Sequence, residues 1–367
     1  GALRPLPRSL MGVPLDLDQL AASGVLTDEG MERVRREPGL PPEQLRLPDE
    51  DVSVGDLVAA RLGDEVTDRL VEPLLGGVYA GRAREISVRA AVPQLVTLAA
   101  RGSMVEQAAA LPVSDVPVFA GVTGGMWQLP AALAAGVEVR LGTPVDTVTR
   151  TAQGFLVETG GETGQEAGGE AVPADAVVVA TPAAVTARLL RSTAPGAAAE
   201  LRAIESASVA VVTFAFRAAD VATLDGTASG FLVPPVDGRR IKAATFSFAK
   251  WDWVRRAGGD LLVLRTSLGR HGDDVVAQAG DDELVADSLA DLAAAAGVRA
   301  RPVATHVQRW VDGLPQYAVG HLDRVARIRA AVAAVPGLAV CGAAYDGVGI
   351  PAVIASAHRA AAEIAGT

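Results

Sequence analysis

The stretch from Leu338 to Ala365 constrains the fold of this chain more than any other part of it. Leu338-Ala-Val-Cys-Gly342 has the apolar composition of a buried strand, and the loop that follows leads into a helix opened by Pro351. Gly347 and Gly349 remove side chains just before this helix, where free backbone N–H groups and the helix dipole favour an anion or an electron-rich ring edge. The pattern predicts a strand–loop–helix unit of an α/β core, whose loop is either a ligand-binding turn or an ordinary structural one.

Composition and charge exclude several classes of protein. Half of the 367 residues are apolar, which is enough for a large buried core and excludes a disordered or fibrous chain. The chain holds 33 basic and 43 acidic residues, with a net charge of −10 and no run rich in Lys or Arg, so we expect no nucleic-acid partner. No apolar stretch reaches the roughly 18–20 residues that a membrane-spanning helix needs.

Cysteine and histidine are too few and too scattered for a metal site. Cys341 is the single cysteine, which excludes a disulfide framework and a cysteine-rich metal site. His271, His306 and His358 have no metal-ligand spacing among them. We therefore predict that the protein binds no metal.

Helical and strand-like patterns divide the chain into a helical first third and a mixed remainder. Helices are predicted over Thr27–Glu37, 51–72 and 87–109, with Thr27 and Ser53 as caps, and Pro73 is expected to end or kink the second helix. Beyond residue 117, strands are predicted at 137–141, 145–149, 155–159, 175–180 (fully buried), 207–217, 229–235, 241–248, 260–267, 305–310 and 338–342, and helices at 281–296, 323–335 and 351–365. This mixture predicts an α/β and α+β fold class, including a hairpin with a polar tip at 160–170.

Six segments carry a more specific signal, because they occur in an order found in a known family. They are Val71–Gly81, Thr123–Met126, Val178–Pro182, Gly230–Pro234, Leu314–Leu322 and Gly342–Pro351. In these segments the chain resembles the bacterial protoporphyrinogen/coproporphyrinogen oxidases, a branch of the FAD-dependent amine-oxidase-like flavoproteins. The resemblance runs along the whole chain.

The resemblance implies an FAD-dependent oxidoreductase of heme biosynthesis that oxidises a porphyrinogen to a porphyrin, with O2 as electron acceptor and H2O2 as by-product. The segment Asp346-Gly-Val-Gly-Ile-Pro351 and the GC-rich type of composition resemble the Gram-positive branch, which implies coproporphyrinogen III as substrate and coproporphyrin III as product. Protoporphyrinogen IX as substrate, another amine-oxidase-like flavoprotein acting on an amine or a carotenoid, and a non-catalytic porphyrin-binding relative remain the alternatives.

The same resemblance implies which residues contact the cofactor. They are Val348, Gly349 and Ile350 against the flavin end of FAD, Gly342, Gly347 and Trp310 as further cofactor contacts, and Val145 beside the adenosine part through its backbone. From the residues alone, a valine on an alternating strand and a tryptophan at a strand end are equally packing residues. No side chain is assigned as catalytic, because the flavin supplies the chemistry.

The implied substrate carries propionate groups, so cations are expected to face its cavity. The candidate substrate contacts are Phe231, Leu232, Thr245 and Arg265, with Lys250 and Arg270 as further cations. Each of them has an alternative role in the core or on a solvated surface. His321 is either a base or a structural histidine bonded to the backbone.

A domain order also follows from the resemblance. Residues 1–12 are expected to be a strand segment of the substrate domain, 13–117 a helical insertion, 118–190 and 311–367 two parts of a Rossmann-like FAD-binding domain, and 191–310 a mixed-sheet α+β substrate domain. The helical insertion is the place for a peripheral membrane contact, but its many charges favour a solvated helical lid. We therefore expect a cytoplasmic protein, and the sequence leaves its oligomeric state open.

The main cofactor motif of such flavoproteins is absent from the sequence. That motif is an N-terminal strand, a G-x-G-x-x-G turn and a helix. Gly1-Ala-Leu-Arg-Pro resembles a segment that normally comes after it. The chain is therefore expected to lack the first part of the FAD-binding domain and, as it stands, to bind FAD weakly and be inactive.

Overall fold

The computed structural model describes residues 3–112, 119–160, 169–224, 226 and 228–366. The predicted domain boundary between 117 and 118 lies outside the described residues, and so does most of the predicted hairpin tip at 160–170.

The strands of the described residues are numbered in chain order. They are β1 (Ser9–Leu10), β2 (Val13–Pro14), β3 (Val145–Thr151), β4 (Gly154–Thr159), β5 (Ala171–Ala174), β6 (Val177–Val179), β7 (Ser206–Arg217), β8 (Gly230–Leu232), β9 (Ile241–Thr245), β10 (Leu261–Leu268), β11 (Ala304–Pro315) and β12 (Leu338–Val340).

The α-helices are numbered in the same way. They are α1 (Leu17–Ser23), α2 (Asp28–Arg36), α3 (Pro42–Leu45), α4 (Val54–Leu62), α5 (Asp64–Val66), α6 (Glu72–Tyr79), α7 (Val88–Ala91), α8 (Pro93–Ala100), α9 (Met104–Ala109), α10 (Gln128–Ala134), α11 (Ala183–Leu189), α12 (Pro195–Arg202), α13 (Ser247–Lys250), α14 (Asp252–Gly258), α15 (Val275–Gln278), α16 (Asp281–Ala296), α17 (His321–Ala333) and α18 (Ile350–Ala365). Short 3-10 turns cover Glu37–Gly39, Ala218–Leu224 and Pro235–Asp237, and a π turn covers Thr67–Val71.

Two compact units make up the chain. The first unit contains Gly1–Met126 and Ala207–Leu314, and the second contains Trp127–Ser206 and Pro315–Thr367. Helix α12, in the segment 191–206 that is predicted to belong to the substrate domain, packs into the core of the second unit. The predicted domain order stays a prediction.

The first unit has a five-stranded sheet in the order β11-β7-β10-β9-β8. Strands β7, β10, β9 and β8 are antiparallel to their neighbours, so side chains alternate between two faces. The core face carries Phe214, Ala244 and Leu264, which are buried in one cluster with Leu284 and Leu292 of α16. The other face, called here the open face, is only partly buried and is free to form one wall of a site.

Two helices in the helical part of the first unit, α2 and α4, begin where the sequence predicts. Thr27 Oγ1 accepts a hydrogen bond from the Gly30 N–H, and Ser53 Oγ accepts one from the Asp56 N–H, so both predicted caps are confirmed. Among the described residues, no helix has both the length and the apolar character that crossing a membrane requires.

Pro73 does not end the helical run, contrary to the sequence-based expectation. The run breaks earlier, at Gly63, whose φ of +98° favours glycine. The π turn Thr67–Val71 then leads directly into α6, and Pro73 lies in the first turn of α6. The wider hydrogen-bond pattern of the π turn accommodates a residue that has no N–H to donate.

The second unit pairs β6 with β12 in parallel and β3-β4-β5 in antiparallel order. Helices α11, α12 and α17 contribute to its core through apolar residues such as Leu189, Leu201 and Ile328. The antiparallel pairing of β4 with β5 agrees with a hairpin that begins at the predicted strand 155–159.

Two strand predictions in the second unit are corrected. Residues 137–141 form no strand; Val137, Val139 and Leu141 are exposed, because alternation indicates a strand only where a partner edge and an apolar face are available. The segment 175–180 does form strand β6, but Val178 is 44% exposed, so this strand is not fully buried.

Candidate functional site

A cavity of about 960 Å³ lies within the first unit. Its sheet wall includes Leu232, Ala243 and Thr245 from β8 and β9, and Leu70 and Pro73 line it from the helical part of the same unit. The cross-strand register places Leu232 opposite Ala243 on the open face. The cavity therefore combines a half-buried sheet surface with apolar helical side chains.

Charged side chains give this cavity a positive balance. Arg4, Arg69, Arg239 and Lys250 line it, against Glu65 and Asp237. Such a local excess of cations stands out in a chain whose net charge is −10.

The four cations differ in how they are held. Arg69 is already paired, with its Nε 3.3 Å from Glu65 Oε1 and its Nη1 4.0 Å from Asp237 Oδ1. Lys250 Nζ lies 4.9 Å from the centre of the Phe119 ring and 5.9 Å from that of Trp251, at cation–π distance. Within the described residues, Arg4 and Lys250 form no ion pair with a carboxylate, so they are available to a ligand.

Arg239 is held by an aspartate of α16. Its Nη1 lies 3.5 Å from Asp291 Oδ1. Asp291 Oδ2 in turn accepts hydrogen bonds from the backbone N–H groups of Arg240, at 2.8 Å, and Ile241, at 3.0 Å. The carboxylate is therefore fixed to the start of β9, and it fixes the guanidinium beside the cavity.

The predicted substrate residues do not all reach this cavity in the same way. Leu232, Thr245 and Lys250 line it. Phe231 also borders it, but neighbouring strand residues point to opposite faces, and the Phe231 ring packs edge-on to Phe246 with centroids 6.2 Å apart. Phe231 and Leu232 therefore point to opposite faces of β8, and their role as substrate contacts stays a prediction.

The two other predicted cations lie elsewhere in the first unit. Arg265 is exposed on the open face, opposite Thr245 in register, and does not line the cavity. Arg270 Nη2 donates to the Val233 carbonyl oxygen at 3.2 Å, and its burial lowers the pKa of its guanidinium. Arg270 thus packs inside the unit, next to the sheet rather than in the cavity lining.

Trp310 lies on β11 of the first unit and is about half exposed. Its neighbour Arg309 donates to the carbonyl oxygens of Val276, at 3.2 Å, and Ala279, at 2.7 Å, on the core side. Alternation along the strand therefore places Trp310 on the open face, where its indole is available for a contact. Its role as a cofactor contact stays a prediction.

The second unit holds the strand–loop–helix unit predicted from the sequence, formed by β12, a loop of residues 341–349 and α18. The Gly342 N–H donates to Ser356 Oγ at 3.2 Å, which ties the start of the loop to α18. Gly347 has a φ of +153°, and a Cβ there would lie 2.6 Å from the Ala352 Cβ. Only glycine fits this approach to the helix.

Helix α18 begins at Ile350 without a side-chain cap. Its N-cap is Gly349, so no side chain accepts hydrogen bonds from the first-turn N–H groups. Gly349 and Ile350 are exposed and Val348 is half-buried. The exposed end of a helix of 16 residues leaves these N–H groups to an electron-rich partner.

Tyr317 and His321 brace the loop from α17 and the turn before it. Tyr317 Oη donates to the Ala343 carbonyl oxygen at 2.6 Å, and His321 Nε2 lies 3.1 Å from the Tyr345 carbonyl oxygen. The two rings stack with centroids 4.0 Å apart, and both are buried. These contacts support the structural alternative for His321 over the role of a base.

Asp346 anchors the exposed side of the same loop. Burial raises the pKa of its carboxyl, but hydrogen bonds and charges from Arg329 and Arg359 outweigh burial, so the pKa is lowered. Asp346 is therefore ionised and paired, and it joins the loop to α17 and α18. Its contacts are structural.

Val145 begins β3 and is half-buried against the core of the second unit. Its carbonyl oxygen accepts from Arg188 Nη2 at 3.2 Å, and the Asp146 carbonyl accepts from Arg188 Nη1 at 3.0 Å. The backbone at Val145 is thus held in place by an arginine of α11. A contact with an adenosine part stays a prediction.

The exposed start of α18 is compatible with a flavin, because its uncapped first turn offers backbone donors. Gly347 is needed for the close packing of the loop on Ala352, and the cofactor contacts of Gly342, Gly347, Val348, Gly349 and Ile350 stay predictions. By contrast, the described residues contain no group of three or more His, Cys, Asp or Glu side chains placed to hold a metal ion.

Sequence reasoning missed Arg4, Arg69 and Arg239. Arg239 and Asp291 are 52 positions apart, so their pairing depends on how α16 packs against β9. A usable signal was present, since consecutive arginines at 239 and 240 precede a strand and two aspartates lie four residues apart on a predicted helix.

Comparison with known proteins finds matches over almost the whole chain. Residues 4–365 match the family described as flavin containing amine oxidoreductase. The chain is 38% identical to the coproporphyrinogen III oxidase of Mycobacterium tuberculosis over 99% of this chain and 76% of the relative. It is 29% identical to the coproporphyrinogen III oxidase of Bacillus subtilis over 95% of this chain and 74% of that relative. The crystal structure of a provisionally named protoporphyrinogen oxidase from Exiguobacterium matches with a TM-score of 0.83 and 32% identity, over 97% of this chain and 76% of that one.

Proposed function

The chain belongs to the family of flavin containing amine oxidoreductases, and on that premise we propose that it oxidises coproporphyrinogen III to coproporphyrin III in heme biosynthesis. As a member of this family it is an oxidoreductase with a flavin cofactor. The relatives from M. tuberculosis and B. subtilis are both named for coproporphyrinogen III. The proposal includes FAD as the flavin, O2 as the acceptor, H2O2 as the by-product and the cytoplasm as the location.

One observation carries the proposal, namely the size and charge of the cavity in the first unit. At about 960 Å³ it is at the upper end of ligand pockets, which span roughly 300–1,000 Å³. Its apolar side chains suit a large macrocycle, and its four cations against two acids suit a ligand with several carboxylates. Coproporphyrinogen III has both properties, since its macrocycle carries four propionates.

The residues of the chain have binding and orienting roles in this reaction. Leu70 and Leu232 would contact the macrocycle, while Arg239 and Lys250 would bind its propionates. Gly347, with the uncapped start of α18, would hold the flavin, and bound FAD supplies the hydride acceptor. A roomy cavity suits repeated two-electron oxidations of one substrate, because the macrocycle has to present more than one carbon bridge.

The test uses the complete gene product. Two results together would support the proposal. The protein shows stoichiometric flavin absorbance at about 450 nm, and porphyrin fluorescence appears when coproporphyrinogen III is added under air. Protein boiled before mixing controls for spontaneous oxidation. A flavin-loaded protein that forms no porphyrin above this control would overturn it, and binding of porphyrin without flavin would favour the non-catalytic relative.

Protoporphyrinogen IX is the second candidate substrate, because the Exiguobacterium structure is named for it. It carries two propionates rather than four. Initial rates on both porphyrinogens, compared at equal concentration, decide between them. A faster rate on coproporphyrinogen III is expected, since the cavity has more cations than a dicarboxylate can engage.

A further inference from the structure

Two consecutive arginines meet two aspartates of one helix, and only one of the two pairs reaches the cavity. Arg239 Nη1 lies 3.5 Å from Asp291 Oδ1, and Arg240 Nε lies 3.1 Å from Asp287 Oδ2. The aspartates are one helical turn apart on α16. Arg239 lines the cavity and Arg240 does not, so the molecule contains a matched pair of ionic contacts in different surroundings.

The surroundings of the two pairs differ in burial. The side chains of Arg239 and Asp291 are 17% and 13% exposed, whereas the Arg240 side chain is 55% exposed. An exposed pair contributes little to stability because water and salt screen it. A partly desolvated guanidinium at a cavity wall interacts more strongly with an incoming carboxylate.

Asp291 leaves most of the Arg239 guanidinium free. The backbone N–H groups of Arg240 and Ile241 both donate to Oδ2 of Asp291, and Oδ1 lies near a single guanidinium nitrogen of Arg239. Within the described part of the chain, the other N–H donors of Arg239 form no hydrogen bond. A guanidinium has five donors in a rigid fork, so it can keep its contact with Asp291 and still bind a carboxylate of a ligand.

We propose that Arg239 binds a carboxylate of the substrate, that Asp291 positions its guanidinium, and that this pair favours a porphyrinogen with four carboxylates over one with two. The inference rests on the proposed function. Arg69 is a weaker candidate for this role, because Glu65 and Asp237 already neutralise it. Asp291 acts through Arg239 and is a positioning residue.

The experiment measures binding of the oxidised porphyrins, so that it does not depend on turnover. Coproporphyrin III and protoporphyrin IX are titrated into the complete gene product and into its Arg239→Gln, Asp291→Asn, Arg240→Gln and Asp287→Asn variants, with fluorescence as the readout. Loss of one charge-assisted hydrogen bond to a ligand weakens binding by about 10- to 100-fold. We expect this loss for Arg239→Gln with coproporphyrin III, and about 3- to 10-fold for Asp291→Asn.

The other variants separate a binding role from a structural one. Arg240→Gln and Asp287→Asn are expected to bind coproporphyrin III within about twofold of the unsubstituted protein, because their pair is exposed. Arg239→Lys, which keeps the charge without the fork, is expected to recover part of the affinity. In turnover, Arg239→Gln is expected to raise KM for coproporphyrinogen III with little change in kcat. Asn at 291 can still accept from the backbone through its amide oxygen, so folding is expected to persist, as a thermal melt checks.

Failure of the inference and failure of the proposed function look different. If the unsubstituted protein binds coproporphyrin III and Arg239→Gln binds it equally well, the inference is overturned and the proposed function stands. If Arg240→Gln loses as much affinity as Arg239→Gln, the inference is also overturned, because location at the cavity then makes no difference. If the unsubstituted protein binds neither porphyrin, the proposed function itself fails.

Discussion

Arg61 and Lys242 are two of the buried cations that the structure describes in the first unit, and their surroundings are opposite. Arg61 is fully buried; its Nε donates to Glu37 Oε1 at 3.0 Å and its Nη1 to the Leu45 carbonyl oxygen at 2.7 Å, while its Nη2 bonds to the Gly102 carbonyl. Glu37 also accepts from the N–H groups of Met104, at 2.8 Å, and Val105, at 3.2 Å. Every charge in this cluster has partners.

Lys242 is 4% exposed and lies at the register shift between β9 and β10. Among the described residues it has no hydrogen bond or ion pair through its amine. Burial, together with the charge of Arg270, lowers the pKa of this lysine to about 7, and Asp273 opposes the shift only in part. The protein tolerates this amine by letting it lose its proton.

The comparison shows that burial alone does not determine what a charge does for stability. Arg61 joins α4 to the end of α3 at Leu45 and to the turn at Gly102. Its buried charge would lower the free energy of unfolding only if its partners were removed. Lys242 costs free energy as it stands, because its charged form is desolvated without compensation. Substitutions at the two sites should therefore change stability in opposite directions.

The largest effect is expected from Glu37→Gln. The change removes the counter-charge of Arg61 and places an amide donor where the carboxylate accepted backbone N–H groups. The free energy of unfolding should fall by about 3–5 kcal/mol. Urea unfolding monitored by circular dichroism measures it.

The matched control is Glu32→Gln, which removes the exposed partner of Arg36 at a distance of 3.0 Å. This change should cost less than about 0.5 kcal/mol. Equal losses for the two variants would show that the buried cluster is no more important than a surface pair.

Lys242→Met is expected to stabilise the protein by about 2–4 kcal/mol at pH 7, because it replaces a desolvated amine with an apolar side chain of similar length. Between pH 7 and 10.5 the unfolded chain binds one proton more than the folded protein at Lys242. The free energy of unfolding of the unsubstituted protein therefore rises with pH in this window, by up to about 1.4 kcal/mol per unit.

The advantage of Lys242→Met should accordingly be full below pH 7 and shrink as the pH rises. Unfolding curves for both proteins at pH 6, 7, 8 and 9 test this sign. Lys250→Met, which removes the exposed amine of the other lysine, serves as the control for the substitution itself. A constant difference across the pH range would contradict the account of Lys242.

The smallest of these effects is expected from Ser103→Ala. Ser103 Oγ accepts from the Glu106 N–H at 3.1 Å as the cap of α9, and its hydroxyl donates to Glu37. Losing the cap and one hydrogen bond of the Arg61 cluster should cost about 1–2 kcal/mol. Ser103→Thr keeps the hydroxyl and should lose clearly less; equal losses would show that the hydroxyl is not the cause.

Much of the fold was predictable because local signals agreed with the tertiary structure. Helix α16 was predicted at its observed bounds, since acidic residues open it and Gly297 ends it with a positive φ. The strand–loop–helix unit at 338–365 was predicted from its apolar strand and its glycines. The strand predicted at 137–141 was wrong, because an alternating pattern of apolar residues does not reveal whether a partner strand exists.

The candidate site was only partly predictable for a similar reason. Leu232, Thr245 and Lys250 were predicted from the resemblance and line the cavity. Arg239 was missed, because its position depends on a contact with α16 that no local pattern encodes. The π turn before Pro73 was also missed, since a proline in a helical pattern ordinarily indicates an end or a kink.

Cys341 has a further consequence that follows from its place at the end of β12. It is buried directly before Gly342, at the base of the loop that Tyr317 and His321 brace, and the sequence contains no second cysteine. A thiol reagent therefore modifies the protein at one position, at a rate governed by how often the base of the loop opens. The rate of modification of Cys341 therefore reports on that opening, and any ligand that favours the closed loop should lower this rate.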